Sequence, residues 1–261
     1  MLRSAQELDS GKGAGVIQAV DRALRILTVL QGGRRMSLGE IASALELAPS
    51  TVHGLVRTLL AHGMVQQEPD SGRYRLGPAT LRLGNVYLES LELRSRVTIW
   101  AEDLARRTGC AVRTAVLLFH EVVVVAHEPR PDGTRQMPEV GIVIPAHASA
   151  LGKALLAFQP DYAAEPPLRS MTGETITDPV VLADQLAQVR STGIATESEE
   201  AVLGECSAAA PVFDNSSEAV GAVALVVPAA RWPLEPEAID ALRDTARTIS
   251  RELGAPVWPS R

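Results

Sequence analysis

The spacing of apolar residues between positions 37 and 62 predicts two short helices joined by a tight turn. Ser37 and Glu40 match a capping box, in which each side chain satisfies a backbone donor of the other residue. Apolar residues then recur at helical intervals until Leu47-Ala48-Pro49 breaks the pattern. A second helix is predicted from Ser50 to about His62, because Gly63 can end it.

Two short strands are predicted after the second helix. They cover residues 65–67 and 73–76, and the sequence Glu-Pro-Asp-Ser-Gly at 68–72 provides a turn between them. Two helices joined by a short turn and followed by a hairpin form a winged helix-turn-helix. Such a domain places its second helix in a DNA major groove.

The second predicted helix separates apolar from polar residues. The positions expected to face the domain core are apolar: Val52, Leu55, Val56, Leu59 and Leu60. The opposite face is small, polar and basic, with two threonines at its margins: Ser50, Thr51, His53, Gly54, Arg57 and Thr58. A surface that approaches phosphates and base edges needs these properties. The alternative is a solvated helix on an unrelated helical hairpin, but Arg73 and Arg75 in the predicted wing favour DNA binding.

The remaining pattern predicts four segments along the chain. Residues 1–15 are expected to be a disordered tail, residues 16–77 the winged helix-turn-helix, residues 78–92 a linker helix, and residues 93–255 a second domain. The first helix, 16–30, is predicted to pack behind the helix-turn-helix through one apolar side: Val20, Ala23, Leu24, Leu27 and Leu30.

Residues 93–255 alternate between helical patterns and strands rich in valine and alanine. Hairpins are predicted at 110–127, turning near His120, and at 207–227. Helices are predicted at 94–108, 149–158, 179–192 and 235–253, with short strands at 141–145 and 195–197. A mainly antiparallel sheet flanked by helices makes this an α+β sensor-like domain rather than a doubly wound nucleotide-binding fold.

Composition indicates a soluble cytoplasmic protein. The apolar content of 46% can build two cores, and 261 residues suffice for two domains. Only two cysteines occur, Cys110 and Cys206, and they are far apart, which argues against disulfides and structural zinc. The N-terminus lacks an apolar signal core, and no apolar run approaches the roughly 18 residues of a membrane-spanning helix. No membrane partner and no cofactor are therefore expected.

Charge is distributed unevenly between the two predicted domains. Residues 1–77 contain nine basic and seven acidic residues, a net charge of +2. Residues 78–261 contain 16 basic and 24 acidic residues, a net charge of −8. Only the N-terminal part therefore tolerates a polyanion, and the acidic remainder discourages non-specific binding to DNA.

The chain resembles the IclR family of bacterial transcriptional regulators. The resemblance rests on Ser50-Thr51-Val52-His53, on the wing Gly72–Gly77, and on His147-Ala148-Ser149-Ala150-Leu151-Gly152-Lys153-Ala154. It extends from Val16 to Leu253. Segments such as Arg130-Pro131-Asp132 are similar to those of the actinomycete glycerol-operon repressors within the family.

The resemblance implies a linker helix leading to a GAF-like effector domain, in a dimer or tetramer that binds pseudo-palindromic operators. The family pocket lies against the sheet, and matching its motifs by position implies five effector-binding residues: Ala150, Leu151, Ser207, Ala224 and Val226. Family members that bind small keto acids carry cysteine and serine at the last three positions, so this pocket has a less polar floor. A second departure is Gly54, where the family often has arginine.

Three arginines are candidates for holding an anionic effector: Arg113, Arg130 and Arg135. Guanidinium groups bind carboxylate or phosphate in a bidentate way, and a helix N-terminus near Ser149 offers free backbone amides. Together with the resemblance, this predicts glycerol 3-phosphate as the effector. The alternative is that these arginines form surface contacts or salt bridges.

Catalytic and metal sites are not expected. His120, His127, His147 and Cys206 lack the spacing of a local metal motif and are interpreted as isolated residues at strand ends. Lys153 is predicted to be solvated or paired at the domain surface, and the acidic residues at 197, 199 and 200 are predicted to be a solvated strand end. Nothing assembles a nucleophile, a base and an oxyanion hole.

The sequence thus predicts a metabolite-responsive, sequence-specific DNA-binding regulator, with a repressor favoured over an activator. A dimer is expected because one helix contacts too few base pairs to be selective in a genome. The alternative from another class is an enzyme or ligand-binding module on the GAF-like domain, with the N-terminal domain mediating protein contacts.

Overall fold

The computed structural model describes residues 16–134, 136–160, 162 and 167–258. The predicted tail, residues 1–15, and the candidate effector residue Arg135 lie outside the described residues. The chain divides into two compact units, with the boundary between Tyr87 and Leu88. None of the described helices has the length and apolar character needed to cross a membrane.

The N-terminal unit contains the predicted winged helix-turn-helix. Its elements are α1 (Gln18–Gly33), α2 (Leu38–Leu45), α3 (Pro49–Ala61), β1 (Val65–Gln67) and β2 (Tyr74–Leu76), after which α4 (Pro78–Ser90) begins. The two strands pair antiparallel, with Val65 opposite Leu76. Gly72 has a φ of +65°, a conformation that glycine adopts easily, at the end of the turn between the strands.

Local signals explain where these helices begin and end. Ser37 accepts a bond from the Glu40 amide (3.3 Å), and the Glu40 carboxylate accepts one from the Ser37 amide (2.7 Å), so the predicted capping box is present. Helix α3 begins at Pro49, one residue before the predicted start. Proline suits the first helical position because its fixed φ is already helical and its missing N–H would have no intrahelical partner.

Helix α1 packs through part of the predicted side. Leu30 is buried and Ala23 and Leu27 are partly buried against the core, as predicted. Ile26 is buried as well, whereas Val20 and Leu24 are 53% and 59% exposed. At 3.6 residues per turn, Leu24 lies about 160° around the helix from Ile26. The apolar pattern of α1 is therefore wide enough to cover two sides, and only one of them is used in this unit. The predicted core residues of α3 are buried or partly buried: Val52, Leu55, Val56, Leu59 and Leu60.

Helix α4 buries none of its side chains in the described structure. Leu81, Leu83, Val86 and Tyr87 are each at least half exposed. The helix ends at Ser90, two residues before the predicted end of the linker, because Leu91 is extended and α5 begins at Glu92. The apolar side chains of α4 therefore lie at the surface of a single copy of the chain.

The C-terminal unit is a six-stranded antiparallel sheet covered by helices on both faces. Its elements are α5 (Glu92–Thr108), β3 (Ala111–Leu118), β4 (Glu121–Glu128), β5 (Val143–Pro145), a 3₁₀ turn (Ala146–Ala148), α6 (Ala150–Leu156), α7 (Pro179–Thr192), β6 (Ala195–Ser198), β7 (Glu205–Phe213), β8 (Ala219–Pro228), a second 3₁₀ turn (Ala229–Arg231) and α8 (Pro236–Glu252). The strand order is β5-β4-β3-β8-β7-β6. The predicted α+β class is confirmed.

Two cores lie on opposite faces of this sheet. Helices α5 and α8 cover one face, where Val97, Leu104, Leu242 and Ile249 are buried. Helices α6 and α7 cover the other face. A Cβ at Gly152 would overlap the backbone of Ala146, so glycine is required there for α6 to pack on the preceding 3₁₀ turn. This packing brings α6, which contains the candidate effector residues Ala150 and Leu151, against the sheet.

Candidate functional site

The outer face of α3 carries the candidate DNA-binding residues of this helix. Thr51, at the margin of this face, is partly exposed. The other candidates are exposed: Ser50, His53, Gly54, Arg57 and Thr58. Val52, Val56 and Leu59 point the opposite way and hold α3 on the body of the unit. The outer face therefore consists of hydroxyls, one imidazole and one guanidinium, which can donate to phosphate oxygens and base edges.

Gly54 lies in the middle of this face. A Cβ at this position would meet nothing within 4 Å, so packing within the unit does not require glycine. A glycine inside a helix costs about 1 kcal/mol relative to alanine. Its effect is to lower the centre of the outer face, which lets the α3 backbone approach a ligand more closely.

The two candidate arginines of the wing have different surroundings. Arg73 forms a bidentate pair with Glu40 (3.0 and 3.2 Å) and donates to the Arg35 carbonyl (3.0 Å). Arg75 is exposed, and its Nε lies 3.9 Å from Glu68, beyond hydrogen-bonding distance. Arg73 thus fastens the wing to α2, whereas Arg75 leaves its donors available to a ligand.

Glu40 is the shared partner in this arrangement. Hydrogen bonds from the Ser37 backbone and side chain, together with Arg73, hold the pKa of Glu40 below its ordinary value. The carboxylate therefore caps α2 with one oxygen, Oε2, and anchors the wing with both. Sequence reasoning identified the cap but not the contact with Arg73, which is 33 residues away.

The candidate effector residues of the C-terminal unit lie on one side of the sheet. Arg113 on β3 is opposite Ala224 on β8, and Ser207 on β7 is opposite Val226 on β8. This is the side covered by α6, which contributes the buried residues Ala150 and Leu151. The structure therefore brings six of the eight candidates to one face: Arg113, Ala150, Leu151, Ser207, Ala224 and Val226.

A cleft of about 220 Å³ opens at the end of this face. Arg113 and Arg130 supply its positive charges, and Glu139 and Glu205 supply its negative charges. Arg113 is only 12% exposed and is paired with both carboxylates, with bonds of 2.6 and 2.9 Å to Glu205. Burial alone would lower the pKa of Arg113, but the bonds and charges of Glu205 and Glu139 outweigh it and raise the pKa above its ordinary value.

Arg130 occupies the rim of the cleft. Its Nε lies 3.3 Å from Asp132, and its Nη2 lies 3.4 Å from the Thr134 hydroxyl. Both contacts are long, so the guanidinium is held loosely. Two of the three candidate arginines thus lie among the described residues. Arg113 is buried and forms ion pairs, and Arg130 lies at the rim of the cleft.

A buried polar network beside Ser207 was not predicted. Lys153 is 1% exposed and its Nζ lies 2.6 Å from Glu200, which is 5% exposed. The Ser207 hydroxyl donates to Glu197 (2.7 Å), whose other oxygen accepts from the Glu200 amide (3.1 Å). The predictions of a surface lysine and of a solvated strand end were therefore wrong for Lys153, Glu197 and Glu200. The lysine lies on the buried side of α6, and its charge is neutralised by a carboxylate 47 residues away.

Histidines are dispersed in the C-terminal unit. His147 lies in the 3₁₀ turn rather than at a strand end; it is 7% exposed, with its Nε2 3.0 Å from the Arg169 carbonyl. Burial lowers the pKa of His147 below its ordinary value. Within the described part of the chain, no three histidine, cysteine or acidic side chains gather in a way that could hold a metal ion.

Comparison with known proteins assigns both units to one family. The family model described as the IclR helix-turn-helix domain matches residues 19–69. The family model described as the bacterial transcriptional regulator IclR C-terminal domain matches residues 85–251. The chain belongs to the IclR family of bacterial transcriptional regulators. It is thus a transcriptional regulator, and the alternative of an enzyme is wrong.

Individual relatives of this IclR-family regulator cover nearly its whole length. The glycerol operon regulatory proteins of Streptomyces coelicolor and Streptomyces griseus are 42% and 43% identical to it, over 92% of this chain and 97% of theirs. A crystal structure of an IclR transcriptional regulator from Silicibacter is 27% identical, covers 92% of this chain and 98% of its own, and superimposes with a TM-score of 0.77. The predicted family is confirmed.

The buried carboxylate of the IclR-family regulator makes its stability depend on pH. Burial raises the pKa of Glu197 to about 7 from an ordinary value of 4.5, against bonds from Ser207 and Glu200 that lower it. Between these values the unfolded chain has lost the proton and the folded chain retains it. We therefore expect Glu197 to reduce the free energy of unfolding by about 3 kcal/mol as pH rises from 4.5 to 7.

Urea unfolding at several pH values checks this expectation with the Glu197→Gln variant. The variant should lose the downward trend relative to wild type, whereas Glu218→Gln, an exposed glutamate, should keep it. Taking the difference between variants removes the contribution of buried His147, which acts in the opposite direction. A pH trend identical in wild type and Glu197→Gln would contradict the raised pKa.

Proposed function

We propose that this IclR-family regulator recognises its operator with the outer face of α3. Ser50 and Thr51 contact phosphate or base edges, and His53 and Arg57 contact bases in the major groove. The observation that carries the proposal is the separation on α3 between a buried apolar side and an exposed polar, basic side. Arg75 contacts the flanking DNA backbone, while Arg73, held by Glu40, fixes the position of the wing.

The proposed DNA-binding form is a homodimer, or a tetramer built from dimers. One α3 helix spans too few base pairs for selectivity, and a two-fold dimer matches a pseudo-palindromic operator. Two exposed apolar surfaces support this assembly: the side of α1 with Val20 and Leu24, and α4 with Leu83, Val86 and Tyr87. Because the partner is chromosomal DNA, the protein acts in the cytoplasm.

The proposed effector is a small metabolite bound on the α6 side of the sheet, and glycerol 3-phosphate is the candidate. The names of the Streptomyces relatives, which refer to a glycerol operon, support it. The cleft with Arg113 and Arg130 offers guanidinium groups for a phosphate. We propose that the protein represses transcription and that effector binding releases it from the operator, through α4.

A mobility-shift experiment tests this function. The purified protein is mixed with DNA from the region upstream of its own gene, with and without glycerol 3-phosphate, over a range of salt concentrations. We expect a specific complex that weakens steeply with salt, because phosphate contacts release counterions, and that glycerol 3-phosphate dissociates. A specific complex insensitive to the metabolite would remove this effector but keep the regulator. The absence of any specific complex would contradict operator binding by α3 at this DNA.

A further inference from the structure

The ion pairs of Arg113 are unequal in how their carboxylates are held. Glu205 is the first residue of β7; its amide donates to the Val202 carbonyl and its carbonyl accepts from the Glu199 amide (2.9 Å). Glu139 lies in the coil between β4 and β5, where Met137 and Val140 are exposed. The Glu139 carbonyl accepts from the Ile142 amide (3.0 Å), and the Glu139 side chain is 18% exposed against 28% for Glu205. The difference therefore lies in the backbone: Glu205 belongs to a paired strand, whereas Glu139 lies in a loop, so its side chain can leave Arg113 without breaking a strand pairing.

The charges around the cleft leave no excess of positive charge. Among the lining side chains Arg113 and Arg130 offset Glu139 and Glu205, and Asp132 lies 3.3 Å from Arg130, so an additional anion would enter a site with no net positive charge. An anion that takes the place of the Glu139 carboxylate on Arg113 keeps one anionic group on each side of the guanidinium. It also gives a new partner to the buried Nε and Nη2 donors that Glu139 would leave.

The geometry points to an exchange of this kind. We propose that Arg113 is the residue that selects the effector, and that an oxyanion of the effector takes the place of Glu139 on its guanidinium while Glu205 remains bound. This inference rests on the proposed binding of an effector on this face. The ligand class is a compact carboxylate or phosphate, because two coplanar oxygens match the guanidinium fork.

The neighbouring residues orient such a ligand. Val226, Ala111 and Ala224 provide apolar surface beside Arg113, and Ser207 lies opposite Val226 in the next strand. An effector with its anion on Arg113 therefore directs its remaining atoms along the sheet towards Ser207. The cleft of about 220 Å³ is below the roughly 300–1,000 Å³ of pockets for drug-sized ligands, which favours a metabolite of a few carbons.

Calorimetry on the full-length protein tests the exchange with three probes. Glycerol 3-phosphate carries a phosphate and glycerate carries a carboxylate, each on a three-carbon chain. Glycerol is the neutral reference. Glu139→Gln removes the competing carboxylate, so we expect it to tighten binding of the preferred anion by about tenfold or more and to leave glycerol unchanged. Arg113→Lys keeps the charge but loses the fork, and should weaken the same anion by about tenfold.

Glu218→Gln is the matched control, because it removes one negative charge at the far turn between β7 and β8. Its affinity for the anions should equal that of wild type. If Glu139→Gln and Glu218→Gln tighten anion binding equally, the effect is one of overall charge and the exchange is wrong. The exchange is also wrong if neither Glu139→Gln nor Arg113→Lys changes the affinity for any anion.

The two levels of the proposal fail in different ways. If glycerol 3-phosphate releases the operator but binds wild type and both cleft variants alike, effector control stands and the exchange at Arg113 is wrong. If no anion affects DNA binding but Glu139→Gln still binds one more tightly than wild type, the exchange stands and the proposed control of the operator is wrong. Thermal unfolding of Arg113→Lys separates weak binding from a loss of folded protein.

Discussion

Replacing Lys153 with methionine is expected to lower the free energy of unfolding by about 3–5 kcal/mol. Methionine can fill the space of the lysine stem within the α6 core, but it leaves the Glu200 carboxylate buried without its cation. One oxygen of Glu200 already has no hydrogen-bond partner among the described residues, so little remains to solvate the charge. Urea unfolding of the purified variant measures the loss.

A double substitution tests whether the ion pair itself is responsible. Lys153→Met combined with Glu200→Gln removes both charges and should recover a substantial part of the loss, because breaking a buried pair costs more than replacing it. The matched surface control is Arg96→Ala, which removes the exposed i,i+4 pair with Glu92 and should cost less than about 1 kcal/mol. A loss below 1 kcal/mol for Lys153→Met would show that the buried pair does not stabilise the fold.

Replacing Arg57 with alanine is expected to weaken specific operator binding by about 10- to 100-fold and to reduce selectivity over scrambled DNA. Arg57 is exposed in the middle of the outer face of α3, so the substitution removes donors for a base edge without disturbing the core. Fluorescence anisotropy with operator and scrambled duplexes at matched salt measures both affinities.

Arg106→Ala provides the charge-matched control for that experiment. Arg106 is exposed on α5 in the C-terminal unit, where it pairs with Asp103, so its loss should leave operator affinity unchanged. If Arg57→Ala weakens operator and scrambled DNA by the same factor, Arg57 contacts phosphates rather than bases. In that case selectivity must come from Thr51 and His53 or from DNA shape.

Helix ends and the sides of α3 were predictable because their causes are local. Ser37 and Glu40 are three residues apart, and Gly109 and Gly193 end α5 and α7 in the left-handed conformation that glycine favours. The exposed and buried sides of α3 follow from helical periodicity alone. For α1, periodicity correctly included Leu30 but also included the exposed Val20 and Leu24, because apolar residues surround much of that helix.

The polar contacts on the α6 side of the sheet were not predictable from the spacing of residues in the sequence. Lys153 and Glu200 are separated by 47 residues, and Arg113 and Glu205 by 92. The sequence Glu197-Ser198-Glu199-Glu200 has the composition of a solvated segment. Only the folded structure shows that Glu197 and Glu200 are buried. The resemblance to a family predicted effector residues that the fold brings to one face of the sheet, but the polar groups buried on that face are a property of the assembled structure.

Glu40 gives the winged domain a mechanical property. Since one carboxylate closes the first turn of α2 and clamps Arg73 of the wing, neither element can loosen without weakening the other. Local opening of the wing therefore takes Arg73 away from the carboxylate that also accepts from the Ser37 amide, so opening of the wing and fraying of the first turn of α2 favour each other. The α2 helix and the wing lie before and after α3 in the chain, so thermal fluctuations on the two sides of α3 are coupled.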